Sequence, residues 1–465
     1  MSFNYRDQWT SVGGHFPAHW HFFKLEELLE NAKGIAVGVM YPGDHTEKGI
    51  PLIKVGDVKG GYIASQPSFF ISPEVDEEYK RTRLNGTELL ITLVGNPGDC
   101  VVVEPHMAGW NAARALAVVR LKDTNLREWL RYILLSKPAK HLIDARLNTT
   151  VQKTLNLKDI RELGIPVPPK HERDVITKII SSIEQKTIVN SDINKTLEQM
   201  AQALFKSWFV DFEPVKAKIA VLEAGGSQAD ATLAAMTAIS GKDADALAVF
   251  EREHPEQYAE LKATAELFPS AMQESDMGEI PAGWSSQRFS NIATLQYGKA
   301  LKKTERIEGP YPVYGSGGVT GTHNNYLIEG PSIIVGRKGS IGTLYWEDGK
   351  FHPIDTVYYV ANKEGVPLSY LYYLMETLNL PSMNTDAAVP GLNRDNVYRL
   401  EVMKPAQSIL DKFNNYVSAI RKLIQKNNIS TTTLTGLRDT LLPKLLSGEI
   451  TLPEAEQAVS EAENV

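Results

Sequence analysis

The feature that most constrains this chain is that it repeats itself at a fixed distance. Leu155-Asn156 recurs as Leu392-Asn393, 237 residues on (155 to 392), and the same shift pairs Ile160 with Val397, Leu163 with Leu400, Ile165 with Val402 and Pro168 with Pro405. A Pro-Ala-X-Trp string stands ahead of each stretch, at 17–20 and 281–284. Self-similarity of this kind means one supersecondary plan used twice. A heptad pattern follows each copy. Ile409, Phe413, Tyr416, Ile420 and Leu423 keep a 4-3 spacing that continues through Asn427 and Ser430 to Leu434, Leu437 and Leu441. Subtracting 237 gives Ile176, Ile179, Ile183, Lys186, Asn190, Ile193, Leu197, Met200 and Leu204. Both runs read as helices with an apolar seam, and both carry an asparagine at the same place, Asn190 and Asn427. A buried polar residue in a heptad costs stability and fixes register. The two asparagines are therefore expected to face each other and lock the helix pairing. From 172 to 209 the first seam would run roughly 57 Å at 1.5 Å per residue.

The rest of the chain divides around these seams. Residues 1–155 read as an N-terminal globular unit with β-rich runs PLIKV, LLITLV and CVVVE, and residues 156–212 as the first helix. Residues 213–280, rich in alanine and charge, read as a linker with short helices. Residues 281–392 form a second globular unit dense in glycine and aromatics, 393–450 the second helix, and 451–465 an acidic tail expected to fray.

Composition narrows the chemistry. Hydrophobic residues make up 43% and charged residues 23%, ordinary for a soluble protein. No apolar run is long enough for a membrane span, and the start MSFNYRDQWT lacks a signal-peptide layout, so a cytoplasmic location is expected. The lone Cys100 excludes a disulfide framework and a cysteine-rich zinc site. The ten histidines show no ligand spacing, so no metal site is expected. There is no phosphate loop, no HExxH and no GxSxG elbow, nor an Asn/Asp-Pro-Pro-aromatic tetrapeptide of the kind that grips a flipped adenine. The chain is thus expected to lack catalytic residues.

Binding residues are more legible. VGRKGSIG (335–342) is a strand entering a basic glycine turn, where backbone can approach a ligand and Arg337 could pair with guanine in a major groove beside Lys338. Tyr314, Ser316, His323 and Lys299 add stacking and hydrogen-bonding groups in the same unit. Lys54, Lys59, Arg81, Arg83 and Arg114 are the basic candidates of the first unit. A solvated basic turn reads the same way, so both alternatives stay open, and a net charge of −7 counts against a protein that coats DNA by itself.

Four strings carry a resemblance: FKSWFVDFEPVKAK (205–218), SDMGEIPAGW (275–284), LNRDNV (392–397) and LRDTLLPKLLSGEI (437–450). With the lobe–helix–lobe–helix layout, they make the chain resemble the specificity subunits of type I restriction–modification systems. The resemblance implies an α+β fold: two globular α/β target-recognition domains joined by two long helices that pack as an antiparallel coiled coil with pseudo-twofold symmetry. It implies a reader of a bipartite, asymmetric double-stranded DNA site, with the coiled coil as the ruler between half-sites. Two modification (adenine methyltransferase) subunits and the restriction subunits would be its partners. They, not this chain, would use S-adenosylmethionine, ATP and Mg. Two departures stand out: the string before the first domain is Phe-Pro-Ala-His-Trp (16–20), and 213–280 has no counterpart after the second helix. Two alternatives remain, a subunit of a related methylation-only system and a coiled-coil scaffold with two protein-binding lobes.

Overall fold

The computed structural model of the chain describes residues 4–59, 61–63, 67–147, 153–363, 365–384 and 390–463. The first residues of the two matched stretches, Val151 and Val389, lie outside them, as does the Lys59 side chain. The chain forms two compact units, Met1–Val189 with Ser430–Val465, and Asn190–Ile429.

Each unit is built on one four-stranded antiparallel sheet of the same topology. In the first unit the order is Ile35–Val37, Leu116–Val119, Leu89–Thr92, Cys100–Val102; in the second it is Ala293–Tyr297, Val357–Asn362, Ser332–Gly336, Leu344–Glu347. The central strands read as unbroken apolar runs because both faces are covered. Leu89 and Ile91 point into a core with Trp129 and Ile133 of the helix Arg127–Leu135, whereas Leu90 and Val101 point the other way, onto Ile53 and Ala112. In the second unit Ile333 and Val335 join Tyr370 and Leu371 of the helix Leu368–Thr377, and Ile334 packs with Tyr314 and Phe351. A second sheet, three-stranded in the first unit and four-stranded in the second, covers the other face, and in both units it contains one parallel pair: Ile50–Ile53 with Asn111–Ala112, and Tyr311–Gly315 with Lys350–Pro353.

The strongest sequence match marks where each lobe is clipped shut. Gly164–Val167 pairs antiparallel with His21–Lys24, and Glu401–Lys404 with Ser285–Arg288. The short helices before these strands, Leu157–Arg161 and Arg394–Tyr398, keep the 237-residue shift. Both Pro-Ala-X-Trp strings make the same turn, with the amide of Trp20 donating to Pro17 and that of Trp284 to Pro281, each at 3.1 Å. The long helices therefore start later than expected, at Lys170 and Gln407 rather than at 156 and 393. Prolines 168, 169 and 405 exclude the helical conformation from the residues before them. The helices run Lys170–Phe209 and Gln407–Ser447, so the first is about 60 Å long.

In each unit the two long helices contribute antiparallel segments to one core: Ile176, Ile180 and Ile183 with Leu434, Leu441 and Leu445 in the first, Phe205 and Trp208 with Phe413 and Val417 in the second. Of the expected seam, one heptad position holds where Ile176, Ile183, Phe413, Leu434 and Leu441 are buried, whereas the other holds at Ile179 and Ile409 and farther along the helices gives way to the next residue. Ile193, Met200 and Leu423 are 43%, 55% and 53% exposed, while Ile180, Ala201, Val417 and Ile424 are buried. At 3.6 residues per turn, adjacent apolar residues fit a heptad equally well on paper, and only the partner surface decides between them.

The asparagine pairing is also displaced. Asn427 donates to Asn194, not to Asn190 directly opposite in the repeat, and Asn194 donates to Asn428, both at 2.8 Å. Antiparallel helices bring repeat-related residues face to face only at the symmetry axis, and Asn190 lies one turn, about 6 Å, short of Asn194. Asn190 is buried, 4% exposed.

Residues 213–280 fold as a module of four helices, Glu213–Glu223, Gln228–Ser240, Ala244–Glu253 and Pro255–Leu267, closed by the hairpin Met272–Ser275/Gly278–Pro281. Its core is small-residue packing of Ala235 and Ala265 around Met236, Leu247 and Leu261. Lys218 is buried against it and donates to the Phe268 carbonyl at 2.6 Å. The stretch 213–280 carries thirteen Asp or Glu against five Lys or Arg, a net −8, so the remainder of the chain is at +1. The expected frayed tail is a helix, Leu452–Glu463, with Ala455 and Val459 in the core of the first unit. Their i,i+4 spacing gives an acidic segment one apolar stripe to dock.

Candidate nucleic-acid interface

The lobes are seated on the long helices by buried polar locks of opposite polarity. In the first unit the lobe supplies the cation. Arg131 forms a buried bidentate pair with Glu184 of the first long helix, Tyr132 Oη donates to the same carboxylate at 3.1 Å, and Glu128 holds Arg131 Nε at 2.9 Å. In the second unit the long helix supplies it. Arg421, the repeat counterpart of Glu184, lies over Trp346 and Tyr372 at 4.7 and 4.8 Å, donates to Tyr373 Oη at 2.8 Å and pairs with Glu198 at 3.1 Å.

A glycine turn sits at the same place in both lobes, and only the second lobe's is basic. Gly342 donates its amide to Gly336 and Gly98 to Thr92, each at 2.8 Å, and Gly339 and Gly95 share a positive φ near 80° that favours glycine. Arg337 is half-buried and pinned, over Tyr297 at 4.9 Å and Tyr358 at 5.7 Å, with Nη1 donating to the Asp355 carbonyl at 2.8 Å. It is therefore not a free arm reaching outward to a base edge. Lys338 is exposed. Arg394, which sequence reasoning quoted only inside a framework string, lies over the same Tyr297 ring at 5.1 Å. Together they line a cavity of about 280 Å³ whose wall also includes Tyr358, Asn393 and Asp395. Tyr358 donates to the Leu392 carbonyl at 3.0 Å, and burial and Tyr297 push its pKa up, so it stays a neutral phenol.

The other candidates are scattered. Tyr314 is buried, 7% exposed, and donates to Glu347 at 2.8 Å; burial and that carboxylate push its pKa up. It is a core residue, not a stacking platform, because the alternation of its strand turns it inward. Ser316 borders the glycine turn, its carbonyl accepting from Thr343 at 2.7 Å and Tyr345 at 3.2 Å. His323 accepts the Ile307 amide at 3.2 Å and stands edge-on to His352, and Lys299 is exposed.

In the first lobe Lys54 is exposed with its ammonium 3.5 Å from the Phe69 ring centre, and Arg114 is exposed on another segment. Arg81 and Arg83 line a cavity of about 540 Å³ with Lys33, Lys80 and Arg120. Several of those cations are already neutralised: Arg83 by Asp76 and Glu77, Lys80 by Glu77, and Arg120 by the fully buried Glu88. Sequence reasoning had no means of finding these pairs, since the partners are set by the fold.

Two lobes of one topology, each clipped by the same strand pair to long antiparallel helices, define a duplicated lobe-and-helix protein. Residues 17–199 and 281–432 match the model of the family described as the type I restriction modification DNA specificity domain. The chain belongs to that family. It is 31% identical over 359 residues to the type I restriction enzyme HindI specificity subunit of Haemophilus influenzae, across 70% of this chain and 78% of that one. It is 27% identical over 186 residues to the EcoBI specificity subunit of Escherichia coli, across 40% and 39% of the two chains. The crystal structure of a type I restriction–modification S subunit from M. genitalium superposes with a TM-score of 0.52 at 16% identity, covering 92% of this chain and 96% of that one, and shows the same fold. The chain is thus a specificity subunit and non-catalytic; methylase and nuclease activities reside in other subunits of such enzymes. Among the described residues no helix is long and apolar enough to cross a membrane.

Proposed function

We propose that this subunit selects a split, asymmetric DNA site, one half-site per lobe, for a type I restriction–modification complex. The carrying observation is the duplication itself: two sheets of identical topology whose surrounding loops differ. Equal frameworks give equivalent placement on DNA, and unequal loops give different half-sites. A pair of helices about 60 Å long is long enough to separate half-sites about one DNA turn, roughly 34 Å, apart, and so acts as the ruler. The charge distribution supports the reading. The largest acidic excess lies in 213–280, and the rest of the chain sums to +1 even with the acidic 451–465 included, so the overall −7 overstates the repulsion from phosphates.

Two modification subunits dock on the helical framework and methylate adenine with S-adenosylmethionine. Restriction subunits add ATP- and Mg-dependent translocation and cleavage, and this chain holds no cofactor of its own. The test is a methylome. The chain is expressed with its modification partner and modified adenines are mapped genome-wide. A split motif with a fixed gap, lost when this gene is deleted, is expected. Methylation at a continuous motif, or none from an assembled complex, overturns the reading.

A further inference from the structure

The two lobes differ most sharply where their frameworks are most alike. The shared turn aligns Leu93 with Arg337, since Leu155 donates its amide to the first and Leu392 to the second. One residue on, Val94 aligns with Lys338. Strand register aligns Ala117 with Tyr358 and Val37 with Tyr297, because Ala117 pairs with Val37 as Tyr358 pairs with Tyr297. The short helices align Leu157 with Arg394. The first lobe thus fills this position with five apolar side chains: Leu93 and Ala117 belong to its buried core, and Val37 and Leu157 pack against it. The second lobe has three cations, two phenol rings and a cavity.

Those cations lack anionic partners. Among the described residues none of Arg337, Lys338 and Arg394 forms an ion pair, and the buried Nε of Arg394 has no hydrogen-bond acceptor. Asp395 on the rim is the one carboxylate in the lining. Two guanidinium groups share one face-bearing ring, Tyr297, which orients them without neutralising them. Convergent unpaired cations in a recess create a positive potential that an anion relieves, and guanidinium groups match the tetrahedral oxygens of phosphate. A base edge is a poor fit. Arg337 is held back against its rings, whereas a backbone phosphate projects from the duplex and can enter a recess.

We infer that Arg337, Lys338 and Arg394, seated on Tyr297 and Tyr358, bind one phosphodiester of the DNA backbone, and that only the second lobe has this seat. The inference rests on the DNA-reading function proposed above. The seat positions the second half-site and carries no sequence information of its own.

The test compares the assembled complex of wild type, Lys338→Gln and Arg394→Gln on two duplexes, one with the mapped methylation motif and one with it scrambled, over a range of salt concentrations. Lys338 is exposed, so its replacement leaves the fold intact. Each variant is expected to weaken both duplexes by the same factor and to make the plot of log affinity against log salt less steep by about one, with the methylated motif unchanged. An unchanged slope in both variants overturns the seat. So does altered discrimination at one base pair, which would mean base reading, or loss of assembly with the modification subunits at unchanged slope, which would mean a partner carboxylate is the occupant. Wild type binding both duplexes equally would overturn the DNA-reading proposal itself, and with it the seat.

Discussion

Replacing Glu184 by leucine removes the anion from the lock that seats the first lobe. The Arg131 side chain is 4% exposed and that of Glu184 9%, so the change strands a guanidinium out of reach of water. Burial lowers the Arg131 pKa and Glu184 raises it in the wild type; without Glu184 the lowering is left uncompensated, but a guanidinium starts so far above neutrality that deprotonation still offers no relief at any usable pH. Breaking one side of a buried pair costs about 3–5 kcal/mol. The lower figure applies here, about 3 kcal/mol, because Glu128 still holds Arg131 Nε at 2.9 Å. For a unit of this size, about 2–4 °C is lost per kcal/mol, so its transition should fall by roughly 6–12 °C. The double variant Glu184→Leu/Arg131→Leu removes both charges and is expected to return to within about 1 kcal/mol of wild type. Calorimetry gives the transitions, and amide exchange over Arg127–Leu135 assigns the change to this lobe. A single variant within about 1 kcal/mol of wild type, or a double variant no better than the single, would refute the reasoning.

Three further expectations are open to measurement. Asn194→Leu and Asn427→Leu should each destabilise the helix pair by about 1 kcal/mol, and the double should cost clearly less than their sum; additive costs would mean the 2.8 Å contact contributes nothing. His352 is buried, and burial lowers its pKa from 6.5, partly offset by the Lys299 backbone and reinforced by His323 and the charges of Lys299 and Arg306. The folded lobe then binds fewer protons than the unfolded chain, so stability present above about pH 6.5 should fall as pH drops through the depressed value; His352→Gln should flatten that slope, and an equal slope would exclude His352 as its source. Cys100 is fully buried and burial pushes its thiol pKa up, so it should react with a thiol reagent only through opening of the first unit. Labelling as fast as in the denatured chain would contradict this.

Much of the architecture was written in the chain itself. The 237-residue repeat predicted two lobes and two helices because the clip strands at Ile165 and Val402 and the prolines after them act locally, through strand alternation and backbone sterics. The family strings and the Arg337–Lys338 turn were legible for the same reason. What the sequence left undetermined depends on surfaces that meet only after folding. Neighbouring apolar residues satisfied the heptad equally, and the partner helix chose Ile424 over Leu423. Tyr314 looked like a stacking residue until its strand turned it onto Phe351. The acidic tail looked unpartnered until Ala455 and Val459 found a core. Arg394 and Tyr297 are separated by nearly a hundred residues, and nothing short of the sheet and the short helix brings them to one cavity with Arg337. Periodicity and turn chemistry act between near neighbours and survive in one dimension, whereas charge pairing and pocket formation depend on distances that only the tertiary structure sets.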